Sequence, residues 1–257
     1  MNIYVLLKKT FDTEEAISVS GGKIDDSGAE FIINPYDEYA VEEAIQQRDA
    51  HGGTVTVVTI GDQDSEKQLR TALAMGADHA VLINTDDDLD EGDQFTTAKI
   101  LEKFFEDKEV DLILAGNVAI DEASGQVGPR LAERLDMPFI TTIVKLDIVD
   151  GTATIEKDVE GDLERIEVSL PVLVTCQQGL NEPRYTSLPG IMKAKKKPLE
   201  QLELDDLDLD EDDVAAKTAT IAVFLPPTKQ AGRILAGETE VQVKELVDLL
   251  RNEAKVM

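Results

Sequence analysis

Four short apolar runs punctuate the first half of the chain: 3–7 (Ile-Tyr-Val-Leu-Leu), 55–60 (Val-Thr-Val-Val-Thr-Ile), 80–83 (Ala-Val-Leu-Ile) and 110–115 (Val-Asp-Leu-Ile-Leu-Ala). Near-continuous hydrophobic runs predict strands buried on both faces. Between and after them, apolar residues recur at helical spacing: Ala40, Val41, Ala44 and Ile45, then Leu69, Ala72 and Leu73, then Ala98, Leu101 and Phe105, then Val127, Leu131 and Leu135. Each set falls on one helix face. Gly52-Gly53 and Gly76 are expected to stop two of these helices, because glycine accepts the left-handed backbone of a helix end. The alternation over residues 1–140 predicts a doubly wound, mostly parallel α/β sheet.

Beyond residue 143 the period changes. The runs 143–149 and 152–156 flank Asp150-Gly151, a hairpin signal. Runs at 163–170 and 172–176 follow, and residues 10–33 predict another hairpin turning near Gly21-Gly22. All are expected as antiparallel additions to the parallel core. The tail reads as an acidic linker, seven acids in the nine residues 205–213, then a strand at 220–225 and, past Pro226-Pro227, an amphipathic helix at 238–254. This divides the chain into an α/β domain at 1–198 and an extended C-terminal arm at 199–257, expected to pack on a partner subunit.

Charge narrows the function. The chain carries 53 Asp and Glu against 25 Lys and Arg, a formal net charge of −28. So acidic a surface repels polyanions, which excludes general nucleic-acid binding and disfavours anionic membranes. No stretch approaches the roughly 18 apolar residues of a membrane span. Residues 1–9 read as a first strand, not a secretory signal, and the single Cys176 forms no internal disulfide, so a cytoplasmic location is expected. With two His and one Cys, neither a metal site nor a nucleophile with its base is visible. The composition describes a binder without catalytic turnover.

Three segments carry candidate chemistry. Gly116-Asn117-Val118-Ala119-Ile120-Asp121-Glu122-Ala123-Ser124-Gly125-Gln126-Val127 joins a buried strand end to a helix start, where open parallel sheets place ligands. Backbone N–H groups at Ser124 and Gly125 would suit a phosphate there; equally, Ser124 serves as an N-cap and Pro129 as a first-turn residue. Asn34-Pro35-Tyr36-Asp37 opens another helix, either as caps or beside the same crevice as the strand ends at Leu6 and Ile60. Ser20–Ser27 superficially resembles a pyrophosphate loop but reads as a hairpin turn. Finally, 181–197 (Asn-Glu-Pro-Arg-Tyr-Thr-Ser-Leu-Pro-Gly-Ile-Met-Lys-Ala-Lys-Lys-Lys) sets apolar Tyr185, Leu188, Ile191 and Met192 between prolines and ahead of four lysines. It reads either as a solvated loop or as a docking site, in which burial supplies affinity and charge supplies steering.

At 34–44, at 69–78 (Leu-Arg-Thr-Ala-Leu-Ala-Met-Gly-Ala-Asp), at Ala119-Ile-Asp121 with Gln126, and above all at 180–197, the sequence resembles the β subunit of electron transfer flavoprotein. The resemblance implies an adenine nucleotide alpha hydrolase-like fold and a heterodimer whose α subunit holds the redox FAD. It implies a structural AMP in this chain, and electron flow from acyl-CoA and other dehydrogenases to a quinone reductase. By the same resemblance, Leu6, Asn34 to Asp37, Ile60 and Gly116 to Val127 contact AMP, and Tyr36 faces the partner's flavin. Residues 177–197 form a recognition loop with Leu188 as anchor and Tyr185, Pro189, Ile191, Met192, Lys193, Lys195, Lys196 and Lys197 around it. Asp158 helps release the docked partner. The run Gln126-Val-Gly-Pro129 is shared with members whose β subunit binds a second FAD for electron bifurcation, which is the alternative to AMP. A stand-alone adenine-nucleotide sensor of the universal-stress type would share the sheet but have no use for the recognition loop or the arm.

Overall fold

A computed structural model describes residues 1–85, 92–229 and 231–257. Its chain divides into two units, residues 1–17 with 26–221, and residues 18–25 with 222–257.

The first unit is built on a nine-stranded sheet. In chain order its strands are β1 (Asn2–Leu6), β6 (Thr54–Gly61), β7 (His79–Asn84), β8 (Leu112–Gly116), β9 (Phe139–Val149), β10 (Thr152–Val159), β11 (Asp162–Ser169), β12 (Val172–Cys176) and β13 (Leu199–Leu202). They lie side by side in the order β11-β10-β9-β12-β8-β1-β6-β7-β13. β2 (Lys9–Phe11) and β5 (Phe31–Ile33) form a separate antiparallel pair, so the outer part of the expected 10–33 hairpin stands apart from the core sheet.

Side-chain alternation along the parallel strands feeds two apolar layers. Ile3, Val5, Leu112, Leu114, Val172 and Val174 face one side with Ala40 and Ile45 of α1 (Pro35–His51) and Leu69 and Leu73 of α2 (Glu66–Met75). Leu6, Ile113 and Leu173 face the other with Ile100 and Leu101 of α3 (Gln94–Phe105) and Leu131 of α4 (Val127–Arg134). This two-sided cover is why the strand sequences lack polar alternation. Gly52 (φ 75°) and Gly76 (φ 148°) end α1 and α2, and Asp150 and Gly151, both at positive φ, turn β9 into β10.

Four expectations change. β12 is no antiparallel addition: it enters between β8 and β9 and runs parallel to both. The α/β body does not stop at residue 198, because β13 extends the sheet beside β7 and the body runs through Ile221. The acidic run is no free linker. A 3₁₀ turn at Asp205–Leu207 and a helical turn α6 (Glu211–Val214), closed by an Asp210–Asp213 capping box, seat Leu204, Leu209 and Val214 in the second apolar layer. Each buried aliphatic side chain contributes roughly 2 kcal/mol, enough to hold a segment whose acids stay in water. Lastly, residues 220–225 form no strand. Ile221 is 98% exposed, and apolar patterning alone makes no strand without a neighbouring edge to pair with.

The second unit contains the hairpin of β3 (Ser18–Ser20) and β4 (Lys23–Asp25), turning at Gly21 and Gly22, both at positive φ. It also contains α7 (Thr239–Asp248), which continues into a π-helical turn at Leu249–Glu253 and leaves Val241, Val243 and Leu246 exposed. Among the described residues no helix is long and apolar enough to cross a membrane.

Candidate functional site

After β1, successive strands are added on one side, β6 then β7, before β8 begins the other side. The chain therefore reverses its direction of growth beside β1, which opens a crevice at the carboxyl ends of β8, β1 and β6. Leu6, Leu7 and Lys8 line it from β1 and its exit, Val58 and Ile60 from β6, Ala115 and Gly116 from β8, and Asn34 and Asp37 from the start of α1. The loop from β8 to α4 closes it with Asn117, Val118, Ala119, Glu122, Ser124, Gly125 and Gln126, followed by Val127 and Gly128 of α4. The four junctions read from sequence thus converge.

Asn34 and Asp37 build the cleft rather than reach into it. Asn34 occupies the N-cap position of α1 without a side-chain cap. Its amide instead donates to Val118 O and Asp37 Oδ1, both at 2.9 Å, while its Oδ1 accepts the Ile120 N–H at 3.2 Å. Asp37 accepts the backbone N–H groups of Lys8 at 2.7 Å and Gly116 at 3.0 Å. Three chain segments are pinned to one helix start by two short polar side chains. Burial pushes the Asp37 carboxyl up to about 7, against those three donors, which favour the charged form. Gly116 has no substitute at this junction, since a Cβ there would stand 2.2 Å from Asp37 Oδ1 and 2.8 Å from Tyr36 Cβ.

The far wall ends in a turn. Ala123 N–H closes on Ala119 O at 2.8 Å, with Ala123 at φ 53° and Gly125 at φ 60°. α4 then begins at Val127 with Gln126 as its cap, so Ser124 is not the N-cap, and no side chain caps this helix start. First-turn amides have no intrahelical acceptor, and the helix dipole adds partial positive charge where they point. Lys8 Nζ pairs with Asp121 and Glu122 at 2.9 and 3.0 Å. Burial alone would raise the Glu122 carboxyl, but Gln94 and Lys8 outweigh it and hold it below its usual range.

Of the sequence-predicted residues, Pro35, Tyr36, Ile120, Asp121 and Ala123 stand outside the cleft lining. Ile120 and Asp121 lie on the outer side of the turn and Tyr36 is half-buried against Gly116. Residues the sequence reading passed over include Thr97 and Leu101, one turn apart on α3; their four-residue spacing was the available signal.

The second candidate site starts after β12. Asn181 and Arg184 bind α1, and Ser187 caps α5 (Leu188–Ala194), its side chain accepting the Gly190 N–H at 3.1 Å. Gly190 lies so close to α2 that a Cβ would sit 2.7 Å from Ala74 O. Tyr185, Leu188 and Met192 are 98, 79 and 72% exposed, and Ile191, Pro189, Lys193, Lys195 and Lys196 are exposed beside them. Lys197 differs from its neighbours. Its Nζ donates to Leu73, Gly76 and Ala77 carbonyls at the end of α2, which corrects its expected place among the outward cations. Asp158 is exposed on β10, paired across the hairpin with Leu163.

Residues 21–207 match the electron transfer flavoprotein domain. The chain is 66% identical to the electron transfer flavoprotein subunit beta of Bacillus subtilis, over the full length of both chains. It is 39% identical to the subunit of the same name from Syntrophomonas wolfei, covering 100% of this chain and 98% of that one. It is 37% identical to the caffeyl-CoA reductase-Etf complex subunit CarD of Acetobacterium woodii, covering 95% of each. A family match over residues 21–207 and full-length identity of 66% to a subunit beta show that the chain belongs to the electron transfer flavoprotein β-subunit family.

Proposed function

We propose that this chain pairs with an α subunit carrying FAD, holds AMP in the crevice, and docks acyl-CoA and other dehydrogenases through residues 177–197, with electrons leaving to a quinone reductase. The observation that carries the nucleotide reading is the donor set of the crevice. Leu6, Val58, Ile60 and Leu101 offer an apolar slot for a base, and the uncapped start of α4 at Gln126, Val127 and Gly128 offers backbone amides for a phosphate. Lys8, bound to Asp121 and Glu122, neutralises one of the two acids at the rim.

The partner's flavin supplies the redox chemistry. This chain's residues bind, orient and present. Leu188 stands clear of its own molecule and serves as the apolar anchor, with Lys193, Lys195 and Lys196 as steering charges. Exposed Phe224, Val241 and Leu246 suit an arm that finishes its burial on the α subunit. Tyr36 faces the flavin and Asp158 assists release of the docked partner. A second reading, FAD in the crevice for electron bifurcation, is favoured by Gln126-Val-Gly-Pro129 alone.

Acid extraction of the purified complex separates the two. AMP, absorbing only in the ultraviolet, is expected beside one FAD per heterodimer; two FAD per heterodimer would replace the first reading with the second. Leu188→Ala is expected to weaken transfer from an acyl-CoA dehydrogenase about tenfold with the flavin retained, the value of roughly two buried methylenes. An unchanged rate would remove Leu188 as the anchor.

A further inference from the structure

The segment 181–197 is fastened at both ends by charged side chains while Tyr185, Leu188 and Met192 between them stand exposed. At the entry, Arg184 Nε and Nη2 donate to the two carboxylate oxygens of Glu42 at 2.7 and 2.9 Å, and the Arg184 backbone N–H adds a third contact at 3.2 Å. The Glu42 side chain is 5% exposed and that of Arg184 40%. Beside them, Asn181 donates to Tyr39 O and to Glu43 Oε2. At the exit, Lys197 Nζ takes three carbonyls at the end of α2, where the helix dipole favours a cation. Arg70 Nη1 donates to Ala194 O and Lys197 O, both at 3.0 Å, sealing the same end.

A planar guanidinium on both oxygens of a buried carboxylate fixes direction as well as distance, which an ammonium does not. Ordering a loop during association subtracts from affinity, and ordering it beforehand removes that cost. We propose that Arg184 and Lys197 are positioning residues that pre-order the docking finger, so that Leu188 is presented in its bound geometry before any dehydrogenase arrives. The proposal rests on the docking role given above to 177–197. Arg184 acts through Glu42 on α1 and Lys197 through the α2 carbonyls.

The test uses the full complex with its α subunit, titrated against an acyl-CoA dehydrogenase turning over its substrate, in the wild type, Arg184→Met, Arg184→Lys, Lys197→Met and Leu188→Ala. Arg184→Met and Lys197→Met are expected to raise the half-saturating concentration of the complex about tenfold, with the saturated rate within about twofold, because ordering is lost and chemistry is not. Arg184→Lys should fall between wild type and Arg184→Met. Amide hydrogen exchange of 185–192 should quicken in the same order, which a general loss of stability would not confine to that segment. If Leu188→Ala raises the half-saturating concentration and Arg184→Met does not, the finger docks without its latch and the proposal is overturned. If neither does, the docking reading itself fails and takes the proposal with it. Should Arg184→Met not fold, Arg184→Lys decides: a raised half-saturating concentration supports the latch, an unchanged one overturns it.

Discussion

Two loops leave the carboxyl ends of neighbouring strands, β8 and β12, and follow opposite plans. The first, at 117–126, turns inward. Asn34 and Asp37 hold it from within through amide and main-chain groups, Lys8 holds its rim at Asp121 and Glu122, and what it offers a ligand is mostly main chain. The second, at 177–197, turns outward. Charged side chains hold it, and what it offers is apolar side chains. A resident group is best served by a cradle that leaves no room for adjustment. A transient partner is best served by a small apolar tip whose foundations lie elsewhere.

Breaking the inward plan should have the largest effect. Gly116→Ala drives a methyl into Asp37 and Tyr36, and is expected to cost about 3 kcal/mol in urea unfolding and to empty the crevice of nucleotide on extraction, while the outward loop keeps its exchange protection. A second effect of comparable size, confined to a pH window, comes from Asp37. In the unfolded chain its carboxyl releases its proton near 3.8, whereas burial keeps the proton on to about 7 in the folded chain. Between these values the folded state holds the extra proton, so stability falls as pH rises through the window and levels off above it. The slope has an upper limit of about 1.4 kcal/mol per pH unit. Asp37→Asn should remove that slope, measured as the difference from wild type in denaturant unfolding between pH 4 and 7. An unchanged difference across the window would place the titration elsewhere. The smallest effect should come from the outward cations. Lys195→Glu with Lys196→Glu is expected to slow electron transfer a few-fold at low salt and to flatten its ionic-strength dependence, with unfolding midpoints unchanged. Equal rates at low and high salt in wild type would deny the steering role.

The same two plans explain what could be read from residues alone. Strands β1, β6, β7 and β8 announce themselves because burial on both faces keeps them mostly apolar and β-branched, and the glycine stops of α1 and α2 because few residues tolerate that backbone. β12 has an equally apolar sequence, yet its place between β8 and β9 depends on pairing across distant segments, which composition does not encode. The acidic run misled for a related reason: seven acids in nine residues dominate the average, while the apolar Leu204, Leu209 and Val214 that decide its packing stand inside it or at its borders. At the site, residue types at strand ends located the crevice, but which side chains face it depends on helix phase. Thr97 and Leu101 were therefore missed, and Lys197 is indistinguishable by type from Lys195 and Lys196 until α2 is seen to end beside it.

The finger also bridges the sheet. It leaves β12, fourth in the strand order, and re-enters at β13, the ninth, so its two roots are five strand spacings apart, roughly 24 Å at about 4.8 Å each. Under the docking role proposed above, a tug on the tip as a partner departs would be shared between the middle of the sheet and its rim, and neither root can peel away without breaking a parallel ladder. Rapid partner exchange of the proposed kind would then repeat over many cycles without fraying the part that makes contact.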